Sequence, residues 1–142
     1  MPRKSIADST RRRVEERDGF HCAYCRTPQA VSAVRMQVDH IQPRVLQGSD
    51  EDDNLCLACA SCNGHKRDRI EATDPVTGER VPLFNPNRRR WHDHFAWAGD
   101  GLLVRGKTPC GRATVDALQM NNPNVVGARS LWIQAGWWPP ED

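Results

Sequence analysis

Long apolar runs are missing from this chain of 142 residues. None approaches the ~20 consecutive apolar residues that a helix needs to span a bilayer, so no membrane helix is expected. The opening stretch, MPRKSIADSTRRRVEER, is basic but has no apolar centre. It does not read as a secretory signal, and a cytoplasmic location is the expectation. Aromatic residues make up only 6% of the chain, with a single tyrosine. So little bulk supports one small core, not a barrel or a two-lobed enzyme. Lysine is also scarce, at 3 of the 20 basic residues. The other basic residues are arginine, which fits phosphate contact and equally a GC-rich genome.

What the chain does have is cysteine: Cys22, Cys25, Cys56, Cys59, Cys62 and Cys110. A reducing compartment disfavours a disulfide framework. Cys22-Ala-Tyr-Cys25 and Cys59-Ala-Ser-Cys62 are two C-x-x-C pairs, and two such knuckles can set four thiolates tetrahedrally around zinc. Cys56-Leu-Ala-Cys59 has the same spacing, so spacing alone leaves the second knuckle open. A four-thiolate zinc is closed to water and substrate, so it is structural and chemistry must lie elsewhere. It would also staple a chain with a modest core. Cysteines outside the cluster read as small buried hydrophobes.

Net charge is +2, a sum of opposites. Residues 1–26 hold seven basic and four acidic side chains, residues 27–63 two and five, and residues 64–142 eleven and nine. The acidic middle contains Asp39 and the run Asp50-Glu51-Asp52-Asp53. An acidic, metal-capable centre between basic flanks suits a polyanionic partner.

Local signals predict a helix from Asp8 or Ser9 to about Arg17, ended at Asp18-Gly19. Alternation of Val34, Met36 and Val38 predicts a strand over 33–42, followed by a loop over 43–53 and a helix over about 55–69. Asp74-Pro75 and Thr77-Gly78 mark a turn. Residues 91–106 read as a hairpin turning at 99–101. A short helix is expected from Thr114 to about Asn121. Asn122-Pro123 should cap a last helix that runs to Gly136, with Val125, Ala128, Trp132 and Ala135 on one side.

Between the knuckles stand Asp39-His40, then Asn54, then Asn63 directly after Cys62. Together, C-A-Y-C … V-D-H-I-Q-P-R … G-S-D-E-D-D-N-L-C-L-A-C-A-S-C-N-G-H-K closely resembles the HNH endonuclease family, in the branch with a four-cysteine zinc. The resemblance covers about residues 11–70 and carries several implications. The fold would be α+β: a small ββα-metal core over 1–74 stapled by zinc on Cys22, Cys25, Cys59 and Cys62. A C-terminal extension over 75–142, a hairpin plus helices, would pack on it. The register of the family's Asn-Leu selects Cys59/Cys62 as the second knuckle. The activity would be hydrolysis of DNA phosphodiesters, with His40 as general base and Asn54 orienting the His40 loop. Asp39 and Asn63 would be ligands of a divalent ion. The family's last motif position is Asn63 here rather than histidine, and hard oxygen ligands favour Mg²⁺ or Mn²⁺. His65 is an alternative ligand, although i and i+2 on a helix do not share a face.

The chemistry stands without the name. Phosphodiester hydrolysis needs an activated water, a Lewis acid and positioning cations. Histidine suits the first role, because its pKa lies near the working pH. Adjacent strand residues point to opposite faces, so Asp39 and His40 can serve one site only if the strand bends there. Candidate phosphate contacts are Arg11, Arg12, Arg13, Lys66, Arg67, Arg69 and Arg88 to Arg90. DNA is the expected partner, to a monomer or a homodimer. A competing reading is a zinc-finger nucleic-acid-binding module without catalysis, which has no use for Asp39, His40, Asn54 and Asn63 together.

Residues 82–140 resemble the C-terminal extension of a bacterial subset of the same endonucleases, and no mechanism comes with that likeness. Trp91, Phe95 and Trp97 are expected to form a small core with Trp132. His92 and His94 could share a face and hold a second metal.

Overall fold

The computed structural model describes residues 5–140. Helix α1 (Asp8–Arg17) starts without a side-chain cap, and Asp8 in its first turn complements the helix dipole. Its one apolar residue, Val14, is buried, as is Glu15. Arg11 and Arg35 meet the Glu15 carboxylate at 3.8 and 3.3 Å. Beyond the helix, the Asp18 carboxylate accepts the Leu57 N–H at 2.7 Å. This short polar helix therefore docks through directed bonds as much as through apolar area.

Helix α2 (Gln29–Ser32) ends at Ala33, which is left-handed with φ 59°. Strand β1 is therefore Gln37–His40, shorter than the alternation predicts. The Gln29 side chain accepts the Met36 N–H at 2.8 Å and ties the intervening turn down. Two 3₁₀ turns, Arg44–Leu46 and Asp52–Asn54, punctuate the long loop. Strand β2 (Leu55–Ala58) pairs antiparallel with β1, setting Val38 opposite Leu57, Asp39 opposite Cys56 and His40 opposite Leu55. Helix α3 (Ala60–Lys66) follows, with Cys59 as its cap. The helix expected over 55–69 is thus a strand and then a helix. All four β2 residues are buried, and a short apolar run of this kind fits either element by pattern alone. The β1-β2-α3 succession is the ββα unit.

Strands β3 (Glu71–Thr73) and β4 (Arg80–Pro82) form a hairpin. Asp74 shapes its turn by accepting from the Val76 N–H and the Thr77 hydroxyl. The 74/75 division expected from sequence falls inside this turn. Residues 91–94 form helix α4 (Trp91–His94), so only β5 (Phe95–Ala98) and β6 (Leu103–Gly106) make up the next hairpin. Helix α5 (Pro109–Ala117) begins earlier than expected, because Thr108 caps it and Pro109 opens it. Gly111 on α5 has no room for a side chain, since a Cβ there would lie 2.0 Å from the His94 carbonyl oxygen.

Helix α6 (Pro123–Ala135) starts at the Asn122 cap and closes at Gly136, as expected. Its one fully buried residue is Arg129, a turn from both Val125 and Trp132 and so beside the expected apolar side, where Val125, Ala128 and Trp132 are half-buried. That guanidinium donates to the carbonyls of Leu102 at 3.1 Å and Met120 at 2.8 Å, and to the Asn121 side chain at 3.1 Å.

One apolar cluster unites both halves, with Val14, Tyr24, Leu55 and Leu57 on one side and Phe84, Trp91, Phe95 and Leu118 on the other. The Trp91 indole donates to the Tyr24 carbonyl at 2.7 Å. Trp91 stacks on Phe95 and Trp97, with centroids 5.0 and 4.8 Å apart. Trp97 reaches Trp132 through Trp138, which the sequence reading missed. Among the described residues no helix is long and apolar enough to cross a membrane.

Candidate active site and cysteine cluster

Cys22, Cys25, Cys59 and Cys62 offer sulfurs that all lie within 4.8 Å of one another, and Cys25 and Cys59 are 3.7 Å apart. A tetrahedral zinc with bonds of about 2.3 Å requires sulfurs about 3.8 Å apart, so the spacing fits that ion. The Cys22 sulfur accepts the Cys25 N–H at 3.5 Å, and the Cys59 sulfur accepts the Cys62 N–H at 3.4 Å. Hydrogen bonds from the other three thiols pull the Cys25 pKa well below the usual thiol range, whereas burial pushes Cys22 up and the same sulfur neighbours push Cys62 up. The fold also resolves the ambiguous knuckle. Cys56 sits on β2, buried, 3.9 Å from Asp39 and outside the cluster. Cys110 is half-buried.

The second site forms where β1 ends in a bend. Asp39, His40, Arg44, Asn63 and Arg67 line a pocket of about 180 Å³. Asn54 clips the loop that leaves His40: its Oδ1 accepts the Gln42 N–H at 2.9 Å, and its Nδ2 donates to the carbonyls of Gln42 at 3.0 Å and Ser49 at 2.8 Å. Gly48 makes this closure possible, because a Cβ there would stand 1.7 Å from the Gln42 carbonyl oxygen. The His40 Nε2 lies 2.8 Å from the Asp50 carboxylate. Arg44 grips the same carboxylate through two bonds at 2.9 and 3.1 Å. Arg44 and His40 together hold the Asp50 pKa down at about 2. The acidic run gave Asp50 no distinct signal. A capable acceptor ten residues from a candidate base is the clue that was there to read.

Asp39 points inward. Its carboxylate accepts the Tyr24 hydroxyl at 2.7 Å and pairs with the Lys66 ammonium at 3.2 Å. Burial pushes its pKa up, against the pull of Lys66 and Tyr24. Lys66 corrects the sequence reading. It was expected to face a phosphate, yet it is 1% exposed and also donates to the carbonyls of His40 and Ile41. The last turn of α3 directs it under the end of β1, where Asp39 compensates its charge. The Asn63 Nδ2 donates to Gln37 on β1, which leaves its Oδ1 uncommitted among the described residues.

The arginines separate by what they hold. Arg11 donates to the Met36 carbonyl. Arg13 forks onto Asp52 at 2.8 and 3.0 Å. Arg69 donates to the carbonyls of His65 and Ala117, joining α3 to α5. Arg12 is exposed beside Glu16. Arg67 lines the pocket at a left-handed φ of 54°, a strained backbone for a residue with a side chain. His65 bonds back to the Ser61 carbonyl. His94 is bound to the Thr108 hydroxyl at 2.7 Å, and neither His92 nor His94 enters a metal-capable cluster among the described residues.

No curated protein and no solved structure matches the chain. The family model for HNH endonuclease matches residues 22–69, the span that carries both knuckles, both strands and α3.

Proposed function

We propose that the protein is a metal-dependent endonuclease that hydrolyses DNA phosphodiester bonds in the pocket at the end of β1. The observation that carries this reading is the joint lining of one small polar pocket by Asp39, His40, Asn63 and Arg67. The uncommitted Asn63 Oδ1 and the Asp39 Oδ1, held only by Lys66 at 3.4 Å, form a hard oxygen pair suited to Mg²⁺ or Mn²⁺. When bound, such an ion supplies Lewis-acid stabilisation of the phosphate oxygens.

His40 takes the proton of the attacking water. Asn54 keeps the loop after His40 closed, so the ring returns to one place. Arg67 addresses the scissile phosphate from the C-terminal end of α3. Cys22, Cys25, Cys59 and Cys62 would hold a zinc ion that ties the first knuckle to the start of α3, the helix that carries Asn63.

The test is incubation of supercoiled plasmid with the zinc-loaded protein and a series of Mg²⁺ and Mn²⁺ concentrations. Metal-dependent conversion to nicked or linear plasmid, stopped by chelator, supports the proposal. Binding without conversion in any metal leaves the non-catalytic zinc module.

A further inference from the structure

We infer that Asp50 is a positioning residue for His40, and that Arg44 exists at this site to hold Asp50 in place. The inference rests on His40 being the general base. An imidazole has two ring nitrogens, and a base needs the one facing the water to be unprotonated. The His40 Nε2 is 2.8 Å from Asp50 Oδ1, while no described residue bonds Nδ1. The Asp50 carboxyl is held at about 2, so it is an acceptor at any working pH. It can therefore only accept a hydrogen bond from an Nε2–H, which leaves Nδ1 as the lone-pair nitrogen. Asp50 thus selects the tautomer and the ring angle at once.

Asp50 could not do this alone, since its side chain is 42% exposed and sits in a loop. Arg44 supplies the missing rigidity. Its planar fork meets both carboxylate oxygens and fixes the plane in which Oδ1 presents its lone pairs. The sequence places all three within a short span. His40 closes β1, Arg44 opens the first 3₁₀ turn, and Asp50 precedes the second. The Asn54 clip and the close approach at Gly48 fold that span back on itself. Asn54 thus sets the loop, and the loop sets Asp50 against the ring.

The test compares wild type, Asp50→Ala, Asp50→Asn and Arg44→Gln, each zinc-loaded. Imidazole ¹⁵N NMR of the neutral ring, without added divalent ion, reads the tautomer directly. Wild-type His40 is expected to be protonated at Nε2, and Asp50→Ala to show a mixture. Asp50→Ala should lower kcat about a hundredfold or more while KM for plasmid changes little. Arg44→Gln should cause a smaller loss in the same direction. A wild-type ring protonated at Nδ1, or an Asp50→Ala variant with unchanged tautomer and kcat, overturns the inference. Failure of the nuclease reading looks different: no cleavage by wild type in any metal, whatever the NMR shows.

Discussion

Replacing Lys66 with methionine should destabilise the protein by about 3–5 kcal/mol, the cost of breaking a buried ion pair from one side. The structure sets the size. The two side chains are 2% and 5% exposed, and Nζ lies 3.2 Å from Asp39 Oδ2. At an effective dielectric of about 20, that separation corresponds to about 5 kcal/mol of attraction. Methionine keeps the packed stem but leaves the Asp39 carboxylate with the Tyr24 hydroxyl as its remaining strong donor. The carbonyls of His40 and Ile41 lose a donor as well. The assay is urea unfolding of the zinc-loaded protein by tryptophan fluorescence, without other divalent ions. It is run as a double-mutant cycle with Asp39→Asn, which should recover at least about 2 kcal/mol. If Lys66→Met costs under about 1 kcal/mol, or the cycle shows no coupling, the buried pair is not what holds α3 under β1.

Two further outcomes follow from the cysteine cluster and the pocket. Cys59→Ser should abolish stoichiometric zinc and unfold the region around both knuckles, whereas Cys56→Ala should retain one zinc per chain by atomic analysis. Arg67→Ala should weaken DNA binding and reduce the salt dependence of affinity by about one phosphate contact, measured by anisotropy over a salt series, and Arg69→Ala should leave that slope unchanged.

The parts of this molecule legible in sequence are those written in fixed local spacing. Two C-x-x-C pairs with Asp39-His40 and Asn63 between and after them identify the ββα segment, and Asn122-Pro123 with Gly136 marks α6 at both ends. The parts missed depend on contacts that spacing does not record. Leu55 to Ala58 read as helical because their partner strand lies across a fourteen-residue loop, 41–54. Lys66 reads as a solvated cation until the fold sets Asp39 beneath it. Arg129 breaks the apolar pattern of α6 because the carbonyls of Leu102 and Met120 and the Asn121 side chain, not a carboxylate, receive it. Asp50 was one acid among four until the loop closed over His40.

The measurement closest to the central claim is plasmid cleavage by His40→Ala beside wild type, at the same zinc content and in the metal that supports the fastest wild-type reaction. The account predicts a loss of kcat of roughly 10²–10⁴-fold, with DNA affinity and zinc stoichiometry unchanged. A His40→Ala protein that cleaves at the wild-type rate would contradict it.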